Sequence, residues 1–123
     1  MNVSNIKFKG QSIDSKNWFY GSLTVDSFGN TQILVPKESM INRFTFFNVK
    51  KETVCVFTCF YDRNGDEIYE NDVVKYFEKE YVVKYNDETR MFVIIDSDLE
   101  EISLLGIDKE KLLLIKNKFD YDF

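Results

Sequence analysis

The sequence contains no histidine, one proline, five glycines and two cysteines among 123 residues. Without histidine, Ser-His-Asp and Cys-His nucleophile machinery in its usual forms is excluded. The side chain that most often ligates metals and shuttles protons near neutrality is excluded with it. So little proline and glycine argues against a low-complexity or disordered chain. No apolar run approaches the roughly 18 residues of a membrane span. The stretch from Met1 to Lys7 lacks the apolar centre of a signal peptide, which predicts a cytoplasmic protein with no membrane partner.

The two cysteines, Cys55 and Cys59, both lie in "TVCVFTC", which reads as a strand. Four strand residues span about 13 Å, whereas a disulfide needs Cα atoms within about 7 Å, so the two cannot pair inside one strand. Both are expected to be buried free thiols. A zinc site would need further ligands beside them, and no other cysteine exists. No metal and no cofactor is predicted. Positive charge is also scarce: the net charge is −5, and Lys50-Lys51 is the only adjacent basic pair. Such a surface repels phosphate backbones.

What the chain has in quantity is aromatic side chains. Twelve Phe and seven Tyr favour β structure, where flat rings pack on a pleated surface. Alternation supports this. In "NWFYGSLTVD", Phe19, Gly21, Leu23 and Val25 share one face, and Trp18, Tyr20, Ser22 and Thr24 share the other. With Ile6–Lys9 this predicts an N-terminal hairpin, and Gly21 within it marks a bulge or a close backbone approach. "TQILV" is the next strand, ended by Pro36. "KESMINRF" is read as one or two helical turns. "DVVKYF", "EYVVKY" and "RMFVIID" predict a three-strand meander, able to curl into a small barrel. "SDLEEISLLG", residues 97–106, is a candidate helix by its Ser97/Glu100 capping box, with a strand as the alternative. "KLLLIKNKF" is the closing strand.

The stretch "YDRNGDEIYENDVVKY", residues 61–76, admits two readings. Asp62, Asn64 and Asp66 alternate as ligands do in a calcium loop. That loop, however, needs glycine at its sixth position and glutamate at its twelfth, where this chain has Glu67 and Val73. The hairpin reading fits better. Asn64-Gly65 predicts a two-residue turn at positive φ, with Asp62 and Asp66 as solvated flanks. Glu70-Asn71-Asp72 is a second corner, with Asn71 suited to a left-handed conformation. Ile68 and Tyr69 anchor the segment between the corners.

"TCFYDRNGDEIYENDVVKY" resembles the signature of the YopX family, whose pattern is roughly Thr-Gly-Leu-x-Asp-x-Asn-Gly-x-Glu-Ile-Tyr-Glu-Gly-Asp-Ile-Val. The match falls on Thr58, Asp62, Asn64, Gly65, Glu67, Ile68, Tyr69, Glu70, Asp72 and Val74. Cys59 and Asn71 stand where that pattern has glycine. Asn71 can keep positive φ, while Cys59 points to a more regular strand. "IKFKGQSIDSKNWFYGSL" and "LLLIKNKFDYDF" resemble the family's two ends. The resemblance implies a phage or prophage origin and a mainly β fold. The expected architecture is an N-terminal β-hairpin or sheet subdomain, 1–57, and a C-terminal SH3-like small β-barrel, 58–123, or one integrated domain. At most one or two short helices are expected. The family carries no known catalytic residues to transfer, so Asp62, Asn64, Gly65, Glu67, Ile68, Tyr69, Glu70 and Asp72 are read as a structural turn-and-anchor motif.

The function these features favour is a non-enzymatic accessory protein binding a host or phage protein, with self-association through β edges a further expectation. The alternative is a nucleic-acid-binding barrel. Its face would be Lys7, Lys9, Trp18 and Tyr20, disfavoured by the overall charge. A hydrolase using paired carboxylates, such as Glu67 with Glu70 or Asp66 with Asp72, is read as weaker still, because acids at turns are usually solvated.

Overall fold

The computed structural model describes residues 7–36 and 44–120. The helical turns expected from "KESMINRF" fall almost entirely outside these residues. The chain divides into two compact units, Met1–Val56 and Phe57–Phe123.

The first unit is an antiparallel sheet of β1 (Phe8–Gln11), β2 (Trp18–Val25), β3 (Thr31–Pro36), β4 (Phe44–Asn48) and the start of β5 (Cys55–Tyr61). The order is β4-β3-β2-β1-β5. Period-two alternation places Leu23, Ile33 and Phe47 in one cross-strand row. Ile33 is fully buried there, and Phe19 stacks on Phe47 with centroids 3.9 Å apart. Gly21 is a close backbone approach, as read: a Cβ on it would overlap the Leu34 carbonyl of β3. A 3-10 turn, Lys51–Thr53, leads into β5. The Thr53 hydroxyl accepts the Gln11 N–H and donates to the Lys50 carbonyl, so the buried polar groups at this corner are satisfied internally.

The second unit contains the rest of β5, paired with β6 (Glu67–Tyr69), and a five-stranded antiparallel sheet. That sheet comprises β7 (Asp72–Tyr76), β8 (Lys79–Asn86), β9 (Met91–Ile95), β10 (Glu101–Ser103) and β11 (Leu112–Asn117), ordered β10-β9-β8-β7-β11. The meander read from alternation is β7-β8-β9. Its inward side chains, Val74, Tyr76, Tyr81, Val83 and Ile94, join Ile68, Leu104 and Leu112 in one core.

Two expectations of the fold are corrected here. The sheets do not close into an SH3-like barrel. The five-stranded sheet ends at β10 and β11, which do not pair, and the outer edge of β11 is already engaged. Arg63 N–H donates to the Leu112 carbonyl, and Leu114 N–H donates to the Asp62 carboxylate. These two bonds place the Asp62 loop, and not β10, along the start of that edge. Residues 97–106 do not form a helix either. They form a turn, then β10, then a 3-10 turn at Leu104–Gly106. Leu99 lies at φ 64°, which breaks helical geometry, and the Asp96 carboxylate takes the N–H groups of Asp98 and Glu100 that a helix would otherwise orient. The described residues contain no α-helix, only single 3-10 turns. None of their helices is long and apolar enough to cross a membrane.

Candidate functional site

The stretch from Thr58 to Asp72 turns out to be a set of internal staples. Asp62 is fully buried, not solvated as the turn reading held. Its Oδ1 accepts the N–H groups of Asn64 and Asp66, each at 2.9 Å, and its Oδ2 accepts the Leu114 N–H at 2.9 Å. Asn64-Gly65 is not a two-residue turn. Gly65 N–H donates to the Asp62 carbonyl, Asp62 N–H to the Asp66 carbonyl, and only Gly65 of the loop takes positive φ, at 83°. This is a three-residue loop closed by a left-handed glycine. A short acid heading such a loop can bond the backbone two and four residues on, and burial follows because Oδ2 is left over for β11.

The same construction recurs twice. Asp26 accepts from Phe28 and Asn30 before left-handed Gly29, and Asp96 accepts from Asp98 and Glu100 around left-handed Leu99. In the first of these, the backbone and side-chain N–H groups of Asn30 hold the Asp26 carboxyl below its ordinary range. In the second, Lys79 stands 2.6 Å from Asp96 Oδ2 and is that oxygen's only partner among the described residues, an ion contact more than an aligned hydrogen bond. Lys79, with the Glu100 N–H, holds Asp96 below the usual carboxylate range, and Asp96 raises Lys79 in return.

The second corner is stapled in the same spirit. Asp72, also fully buried, accepts the Tyr69 N–H at 2.7 Å and the Asn117 side-chain amide at 3.0 Å. Asn71 lies at φ 70°, the left-handed conformation anticipated for it. It accepts from Lys84 Nζ at 2.6 Å. Glu67 accepts from the Tyr69 hydroxyl. Ile68 and Tyr69 are buried, as anchors should be. Glu70 contributes its carbonyl to Asn117. The buried carboxylates of this stretch thus hold backbone and amide donors, and among the described residues no group of three or more His, Cys, Asp or Glu is arranged to hold a metal ion.

Cys59 departs from expectation. It is exposed and sits at φ 69° in a bulge where β5 slips against β6. The Thr58 hydroxyl spans the bulge, donating to the Ile68 carbonyl and accepting the Phe60 N–H. The strand is therefore less regular here, not more. The glycine that the family pattern has at this position was the available signal, since glycine tolerates this φ. Cys55, by contrast, is fully buried. Replacing Cys59 with glycine is expected to stabilise the second unit by about 0.5–1 kcal/mol. A later thermal midpoint would show it; an unchanged or earlier one would mean the thiol's own contacts outweigh the strain.

The bulge opens a hollow of about 190 Å³ lined by Cys59, Phe60, Tyr61, Leu104, Ile107, Lys109 and Leu112. Phe60, Leu104, Ile107 and Leu112 give it apolar walls, polar surface makes up a substantial part of the rest, and it holds one cation: Lys109 lies over the Tyr61 ring, 6.0 Å from its centroid. A second, shallower hollow of about 390 Å³ lies along Val73, Tyr81, Val82 and Ile95, with Glu80, Asp96, Ser97 and Lys118 around it. Its buried acid, Asp96, is the one engaged by Lys79.

Of the N-terminal residues considered for partner binding, Lys9 lies on β1 and Trp18 and Tyr20 on β2, while Lys7 just precedes β1. Lys9 pairs in register with Tyr20, and its ammonium lies 4.7 Å from the Trp18 ring centroid. Lys9 is only 5% exposed, which leaves it little surface to meet a phosphate. Tyr20 is exposed, while Lys7 and Trp18 are half-buried.

Against known proteins, no curated protein matches the chain. The family described as YopX protein matches it over residues 2–120, nearly its whole length and including every staple described above. The chain belongs to the YopX family.

Proposed function

We propose that this protein is a phage- or prophage-encoded accessory protein, acting in the host cytoplasm by binding another protein and not by catalysis. The hollow beside β5 is the binding site in this reading. It would take an apolar side chain with a carboxylate nearby, the first against Phe60, Leu104, Ile107 and Leu112, the second at Lys109. The observation that carries the proposal is this pairing of an apolar wall with a single cation at an open surface. Apolar pockets with a few placed polar groups are the usual form of an anchor site. Support also comes from the acids that sequence reasoning raised for hydrolysis. Asp72 is committed to Tyr69 and Asn117, and Glu67 to Tyr69.

Ile107→Asp tests the reading by placing a repelling acid in the hollow. Cross-linking in host lysate should capture a protein with wild type and lose it with the variant, while β structure by circular dichroism is unchanged. Equal capture by both would remove the hollow from the interaction.

A further inference from the structure

We propose that the occupant of this hollow is the β7–β8 turn of a second copy of the chain, inserted through Phe77. The inference rests on reading the hollow as a binding site, and it names the partner.

Phe77 and Glu78 link β7 to β8 as a two-residue loop, with φ of 48° and 66°. Asn-Gly closes such a turn without strain, whereas a bulky residue at positive φ is an outlier. Phe77 is nonetheless an aromatic residue and 62% exposed. Its ring touches Tyr76 edge-on, with centroids 4.7 Å apart, and leaves most of its surface to water. Neither the turn nor the core of this unit accounts for a phenyl ring there. Strain retained at an exposed apolar tip points to recognition.

The hollow matches the tip in size and charge. It has room for one aromatic side chain among apolar walls, with Lys109 at the rim. The tip carries Glu78 directly beside Phe77, and Glu80 two residues further. The same acids disfavour insertion of Phe77 into an anionic membrane.

Placement decides for reciprocal exchange. Tyr76, the residue before the tip, pairs in register with Leu112 of the hollow. Its hydroxyl accepts the N–H of Asp108, the neighbour of Lys109. Plug and socket therefore lie side by side on one unit. A two-fold axis between two copies can then seat each Phe77 in the other's hollow, a closed arrangement and not an open chain.

Sedimentation of the full chain over a wide concentration range tests this. Wild type is expected to form dimers. Phe77→Asn is expected to weaken dimerisation about 100-fold. It should do so without lowering the thermal midpoint, because asparagine suits the left-handed φ; that separates lost recognition from lost folding. Lys109→Glu should also weaken the dimer, and adding Glu78→Lys should restore it. A wild type that stays monomeric throughout, or a Phe77→Asn protein that dimerises as wild type does, overturns the proposal. So does a double variant no tighter than Lys109→Glu alone. A monomeric wild type whose lysate capture is still lost with Ile107→Asp would sink this inference alone and leave the hollow serving a different protein.

Discussion

Asp62→Ala is expected to destabilise the second unit by about 3–4 kcal/mol, the largest effect of any single change in the signature stretch. The carboxylate accepts three backbone N–H groups and is itself fully buried. Removing it leaves three donors without their acceptor at a partly buried site, where an unpaired donor costs on the order of 1–3 kcal/mol. Two of the donors belong to the loop and the third to Leu114, 52 residues away. The variant should therefore loosen both the loop and the edge of β11. Amide hydrogen exchange reads this locally: Leu114 should lose most of its protection. Asp62→Asn serves if the alanine variant fails to fold. Its amide oxygen can still accept from the loop, but its NH₂ would meet the Leu114 N–H donor to donor. An intermediate loss, with Leu114 again deprotected, is expected. Undiminished stability and an unchanged Leu114 amide would show that Asp62 does not tie the loop to β11.

Gly21→Ala carries the largest expected effect in the first unit, a loss of about 3 kcal/mol. The added Cβ would overlap the Leu34 carbonyl, a backbone atom of the neighbouring strand. Relief requires β2 and β3 to part, which lengthens ladder hydrogen bonds on both sides. Gly10→Ala is the natural comparison. Its Cβ would meet the Val49 side chain, Cγ2 at 2.8 Å and Cβ at 2.9 Å; rotation about χ1 clears the first but not the second, so the Val49 backbone must also give a little. The expected cost is about 1–2 kcal/mol. Trp18, the only tryptophan, lies on β2 and reports this unit. Chemical unfolding followed by its fluorescence should give a clearly lower midpoint for Gly21→Ala than for Gly10→Ala. Equal midpoints would mean that the Leu34 carbonyl contact is no harder to relieve than the Val49 contact.

The strands were legible because alternation is a local property. The period-two pattern through Tyr81, Val83 and Tyr85 needed no knowledge of what covers it, and the first two are buried in β8. Gly21 was legible too, since glycine within an apolar strand has few physical reasons to be there. Asn71 was read correctly from its tolerance of positive φ. The burial of Asp62 was missed because its cause is distant in sequence. An acid beside Asn-Gly is solvated on most surfaces, and nothing within the loop says that Leu114 needs an acceptor. The hollow was invisible for the same reason, since its walls come from β5, the 3-10 turns near Leu104 and Lys109, and β11.

A neighbour-by-neighbour signal existed for the loops. Asp26-Ser27-Phe28-Gly29 and Asp62-Arg63-Asn64-Gly65 share one spacing, and both build the same acid-headed turn. The third copy hides because Leu99 replaces the glycine at an equally left-handed position.

By itself the sequence determined where the chain extends, where it turns and which family signature it carries, because backbone preference and side-chain alternation act over a few residues. Tertiary structure alone decided that Asp62 and Asp72 are buried acceptors, that the sheets stay open, and that Phe60, Leu104 and Leu112 enclose a space. Those outcomes depend on groups from distant strands arriving at the same place, and a donor or an apolar wall can only be met where the fold delivers it.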